Sequence, residues 1–149
     1  MTLLFLGQLA ATLALTGLIW LVQVVQYPLF ARVGADAFVA YHAGHAERIT
    51  WIVGPLMLIE AAAAGFFLIG RPDWLPTWNV WAGAALVAVI WASTALLQVP
   101  QHARLADGFE ASAHRLLVLG NWLRTIAWSA RAALLLVALD GALRRTLDV

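Results

Sequence analysis

Four histidines, two tyrosines and a few charges stranded in apolar sequence are the residues of this chain that could do chemistry. His42 and His45 are three apart in Tyr41-His-Ala-Gly-His45, which puts both on one face of a helix. His102 and His114 flank a second segment that also carries Glu110, while Tyr27 and Glu47 lie near the first pair. Imidazole is the commonest nitrogen ligand for metals. A mononuclear ion held by three of the four, or a haem between two facing rings, is chemically reasonable. A metal ion or haem is therefore the candidate cofactor, with His42, His45, His102 and His114 as its ligands. The plainer reading is a set of interfacial histidines bonded to water, loop carbonyls or lipid phosphate.

A second set lies deep in apolar sequence: Glu60, Asn121, Arg124 and Arg131. A charge at the centre of a bilayer costs about 2.5–3.5 kcal/mol on insertion scales, so such groups pair or line a polar cavity. Glu60 paired with Arg131 leaves Arg124 over, free to hold an anionic or quinone-like group. The plainer reading is a salt bridge with polar glue between helices. Gln8, Thr12, Thr16 and Gln23 make a polar line on one segment, and Ser93, Thr94 and Gln98 do so on another. His42 precedes Glu60 by 18 residues, about 27 Å along a helix. The histidines and the deep charges cannot share one coordination shell.

The elements that position these residues are membrane helices. The chain is 63% hydrophobic and 11% charged over 149 residues, against about 25% charged for a soluble domain. The lipid bilayer is the partner such a surface implies. A net charge of +1 offers nothing to nucleic acid. The absence of cysteine excludes disulfides and thiolate clusters, and the absence of lysine excludes Schiff-base chemistry. Four runs approach the roughly 20 apolar residues of a span: Leu3–Gln26, Ile49–Gly70, Asn79–Val99 and Leu116–Ala138. The first has no basic n-region and reads as a retained helix. Four spans place both termini and the Arg71–Trp78 loop on one side, called side A. Side B then carries Tyr27–Arg48 and Pro100–Arg115, with every histidine. Asp36 and Asp107 read as N-caps that start helices two and four outside the hydrocarbon. Pro28 and Pro100 read as the ends of helices one and three, and Pro55 as a kink that opens room beside Glu60. Arginines are balanced between the sides, so the positive-inside rule gives no orientation.

The chain also reads as a duplication. Gln26-Tyr-Pro28 matches Gln98-Val-Pro100, and Trp20, His42 and Trp51 match Trp91, His114 and Trp122 at offsets of 71–72 residues. The expected fold is an all-α, integral membrane four-helix bundle in a single domain. It is built from two parallel helix-pair repeats, residues 1–70 and 72–141, with matched residues facing across an axis along the membrane normal.

The segments Gln26-Tyr-Pro-Leu-Phe30, Tyr41-His-Ala-Gly-His45 and Asn121-Trp-Leu-Arg-Thr-Ile-Ala-Trp-Ser-Ala-Arg131 resemble a family of small bacterial four-helix integral membrane proteins. That family is in turn distantly similar to the anthrone-oxygenase-like membrane family. The resemblance implies a bacterial inner-membrane location and oxidation of a hydrophobic aromatic substrate within the bilayer. The function expected is that of a membrane redox or oxygenase-like protein with a histidine-lined metal or haem site at one face. Two alternatives stand beside it: an accessory subunit of a larger membrane complex or homo-oligomer, and a small-molecule carrier using the polar seam.

Overall fold

The computed structural model describes residues 1–147. Helix α1 covers Thr2–Phe30, α2 Ala35–Ile69 and α3 Thr77–Leu105. Helix α4 runs Ala111–Leu147. All four are long and apolar enough to cross a membrane, and no strand occurs among the described residues. The chain is a multi-pass membrane protein by this architecture. Helix α1 packs against α2 and α4, and α3 packs against the same two. The bundle is therefore a ring in chain order, with α2 and α4 on one diagonal.

Its distribution of polarity is that of a protein solvated by lipid. Leu3, Trp51 and Ile69 point outward, at 85%, 76% and 92% exposure. Gln8, Thr12, Gln23, Glu60, Asn79, Asn121 and Arg131 are all buried. Water would reverse that arrangement. In hydrocarbon a polar group must find its partner inside the bundle.

Two apolar clusters fill the interior. Toward side A, Phe5 and Leu9 pack with Phe67, Leu75 and Leu135. Toward side B, Leu15, Ile19, Phe30, Phe38, Met57, Ile90, Leu117 and Trp128 form the larger cluster. Thr12, Glu60 and Arg131 each fall between the two clusters along their own helices, so a polar layer divides the core.

Neither Pro28 nor Pro100 ends its helix. Each instead follows a π-helical turn, Val22–Gln26 before Pro28 and Thr94–Gln98 before Pro100, and the helices continue to Phe30 and Leu105. Proline removes an N–H and crowds the carbonyl four residues back. A widened turn relieves that crowding: Tyr27 N–H bonds Val22 O and Val99 N–H bonds Thr94 O. Both turns end two residues before their proline. The side-B connections are correspondingly short.

The capping expectations change too. Gly34 occupies the cap position of α2, and Asp36 sits within the first turn. Asp107 lies in the α3–α4 connection, ahead of Gly108, whose φ of +149° suits glycine. The connection is held instead by Glu110, which accepts from Arg104 and from Ser112 Oγ. The Ser112 hydroxyl and the Arg104 guanidinium hold the Glu110 carboxyl below the usual carboxylate range. On side A, Arg71 Nη1 donates to Leu75 O at 2.6 Å and closes the α2–α3 loop.

Candidate functional site

The side-B histidines divide into three and one. His42 Nε2 lies 3.0 Å from His102 Nδ1. The His45 ring stacks on His102 with centroids 6.1 Å apart. His114 stands apart, with Nε2 2.8 Å from the carbonyl oxygen of Tyr27. The ring-to-ring path from His42 to His114 runs through Phe38 and Phe109, which meet edge to face at 5.3 Å. Those two phenylalanines occupy the place between the repeat-matched histidines.

One consistent order of donation through the His42–His102 pair starts from a residue that can only donate. Arg124 Nη2 donates to Tyr27 Oη at 3.3 Å. The tyrosine proton is then available for His102 Nε2, 3.0 Å away. With His102 Nε2 accepting that proton, His102 Nδ1 is the protonated nitrogen and donates to His42 Nε2. This order gives each link of the chain Arg124–Tyr27–His102–His42 one donor and one acceptor. It links a buried guanidinium to the side-B histidines through one phenol.

Arg124 is the centre of this half of the bundle. It is 7% exposed and has no carboxylate partner among the described residues. Its Nε donates to Asn121 Oδ1 at 3.0 Å and its Nη1 to Thr94 Oγ1 at 3.4 Å. Asn121 Nδ2 donates to Gln23 Oε1 at 2.8 Å, and Gln23 Nε2 to the Val118 carbonyl at 3.2 Å. The guanidinium also lies over the Trp128 ring, 6.0 Å from its centroid. The cation is thus fixed by neutral groups, and its charge is left without a counter-ion.

Beside Arg124 opens a cavity of about 590 Å³. That is within the roughly 300–1,000 Å³ range of small-molecule sites. Tyr27, His42, His45, Gln98, His102 and Arg124 contribute most of its polar lining, and Leu18, Val53, Met57 and Trp91 much of the rest. The exposed lining residues Ala43, Thr50, Trp91, Val99 and Ala103 belong to α2 or α3, and Ala106 directly follows α3. The mouth is therefore the cleft between these two helices. Alanines on both sides, with Gly54, leave the cleft unfilled.

Glu60 and Arg131 are excluded from this space. Glu60 Oε1 accepts from Arg131 Nε at 2.8 Å and from the Thr12 hydroxyl. Arg131 completes its set with the Gly83 carbonyl at 2.7 Å and Gln8 Oε1 at 3.1 Å. All four helices contribute. Both charges are buried, and every strong partner is supplied by the chain itself. The four intramembrane polar residues therefore split. Glu60 and Arg131 form a closed structural pair, Arg124 lines the cavity, and Asn121 holds Arg124 from behind. The room expected beside Glu60 lies one turn closer to side B, where Gly54 and Met57 line it.

The side-B residues fit a cofactor only in part. Among the described residues no group of three or more His, Cys, Asp or Glu side chains is placed to hold a metal ion. His42 and His102 alone present two nitrogens at a spacing that ligands on one ion, each at about 2.0–2.1 Å, can share. A porphyrin does not fit between nitrogens already in hydrogen-bond contact. The sequence places Thr94 and Gln98 on a polar line but gives them no part in a site, and gives Trp128 none either. Compared with protein-family models, curated proteins and solved structures, the chain matches none of them.

Proposed function

We propose that this protein binds a hydrophobic, quinone-like small molecule from the bilayer and takes part in its oxidation or reduction, as a membrane redox or oxygenase-like protein. The observation that carries this reading is Arg124: a buried guanidinium, without a carboxylate partner among the described residues, in the wall of a cavity that opens between α2 and α3. A ligand oxygen beside Arg124 would supply the missing negative end. The apolar lining would hold a ring or chain. Interconversion of a quinone and a hydroquinone moves two electrons and two protons. Tyr27, His102 and His42 form a hydrogen-bonded path suited to the protons; an electron carrier would accept or supply the electrons, and dioxygen could accept them in the oxidation. A carrier function draws less support, because the cavity stops at Met57 and Trp128 and the Glu60–Arg131 layer lies beyond.

The test is extraction of the purified protein. Wild-type chain in mild detergent should carry about one hydrophobic small molecule, or take one up from added decylbenzoquinone. Arg124→Leu should lose most of that retention at an equal amount of folded protein. A wild-type protein that neither carries such a molecule nor binds the probe overturns the reading.

A second reading is favoured by the 3.0 Å spacing of His42 Nε2 and His102 Nδ1. A metal ion between them would require His102 to carry its proton on Nε2 and donate to Tyr27, the usual arrangement behind a ligating histidine. Metal content of wild type against His102→Ala tests it.

A further inference from the structure

Gln98 is 2% exposed, lines the cavity, and has neither its side-chain oxygen nor its nitrogen partnered among the described residues. The other buried amides of the bundle are all engaged: Gln8 with Arg131, Gln23 and Asn121 with each other, Asn79 with the Leu134 carbonyl. Ser93 Oγ is also unpartnered, but Ser93 does not line the cavity. A buried polar group left unpaired carries the full cost of its desolvation, so each such group needs an explanation.

The position of the carboxamide is built. A Cβ at residue 120 would stand 3.0 Å from Gln98 Nε2, so Gly120 is what lets the amide lie against α4. Thr94, one π turn earlier on α3, touches Arg124 and gives its own proton to the Ile90 carbonyl. Gln98 and Arg124 thus border the same cavity from neighbouring helices.

We propose that the cavity selects the reduced, hydroxyl-bearing form of its ligand, a hydroquinone or phenol, and that Gln98 makes the selection. This rests on the quinone-like reading above. Arg124 has only donors to offer, and Gln98 Nε2 is a donor as well. A quinone brings only acceptors. It satisfies both and leaves Gln98 Oε1 buried without a donor. A hydroquinone brings acceptors and O–H donors, and satisfies all three. Turning the amide over exchanges its atoms without changing this count. A site built to hydrogen-bond a ligand hydroxyl discriminates strongly against an analogue that lacks it, because a buried group is then unpaired.

Decylhydroquinone and decylbenzoquinone share one skeleton and differ by two hydrogens. Their affinities for the full chain in detergent, measured under anaerobic conditions, test the proposal. Wild type should bind the hydroquinone at least about tenfold tighter. Gln98→Leu should bring the two affinities together, and Arg124→Leu should weaken both. Equal wild-type affinities overturn the proposal while the quinone-like reading stands, and need no variant to fold. A preference that persists in Gln98→Leu also overturns it. Binding of neither probe removes the reading beneath it.

Discussion

The indole of Trp128 stands between the cavity and the ion pair: its ring lines the cavity, and its Nε1 donates to Glu60 Oε2 at 3.0 Å. One side chain thereby closes the floor of the candidate site and completes the carboxylate that ties the four helices together. Trp128→Phe removes the N–H together with part of the ring volume and retains most of the apolar bulk. Glu60 Oε2 then lacks its partner, and a loss of about 1–3 kcal/mol is expected. Thermal unfolding in detergent measures it. An unchanged midpoint would show that the indole hydrogen bond contributes nothing.

Removing the carboxylate is the larger perturbation. Glu60→Ala leaves Arg131 buried at 1% exposure with only neutral acceptors. Breaking one side of a buried pair costs about 3–5 kcal/mol. The double variant Glu60→Leu with Arg131→Met should recover much of that loss, because no charge remains unpaired. A double variant as unstable as Glu60→Ala would mean that the network's geometry, and not the orphaned charge, sets the cost.

Gly83 tests the same layer from α3. A Cβ there would lie 2.9 Å from Arg131 Nη1, and the Gly83 carbonyl is itself an acceptor for that nitrogen. Gly83→Ala should therefore push Arg131 off Glu60 and destabilise by about 1–3 kcal/mol, as overpacking does. Gly7→Ala serves as the control, since nothing lies within 4 Å of its added methyl. Equal behaviour of the two variants would count against the tight fit at Arg131.

The four spans and the Glu60–Arg131 pair were legible in the sequence for one physical reason. Lipid enforces long apolar runs and penalises any unpaired charge within them, so composition and depth suffice. Arg124 was legible by elimination, as the cation left after that pairing. The histidine arrangement was not. Repeat register pairs His42 with His114, but the π turns and the bulk of Phe38 and Phe109 bring His102 to His42 instead. A period of 3.6 residues carried through a proline predicts faces wrongly by the width of the inserted residue. Gln98 was read as one member of a polar stripe for the same reason. Only packing shows that its amide has no partner.

Tyr27 links the two halves of the candidate site, since its hydroxyl meets both Arg124 and His102. Tyr27→Phe keeps the ring packed against Phe30 at 5.6 Å and removes only that link. Arg124 loses one of its acceptors, and the ligand-binding side chain becomes less fixed. Decylhydroquinone affinity is expected to fall about tenfold, the equivalent of one hydrogen bond at roughly 1.4 kcal/mol. Affinity unchanged in Tyr27→Phe would detach the tyrosine from ligand binding.

The prolines make the last prediction. Each π turn holds one residue more than an α turn, so reverting it to α rotates the helix on one side relative to the other by about 100°. Pro28→Ala and Pro100→Ala restore the missing N–H and remove the ring that crowds the preceding turn. Both variants should keep their helical content, because the spans are otherwise unbroken. In Pro100→Ala the rotation separates Gln98 and Thr94 from His102, which lies beyond the turn on α3. In Pro28→Ala it moves Val22 and Gln23 relative to Tyr27. Both changes disrupt the cavity wall, so both should lower decylhydroquinone affinity with little loss of circular dichroism. Equivalent responses at the two prolines are what a duplicated helix pair requires. A Pro100→Ala protein that binds the probe as wild type does would show that the π turn of α3 does not build the site.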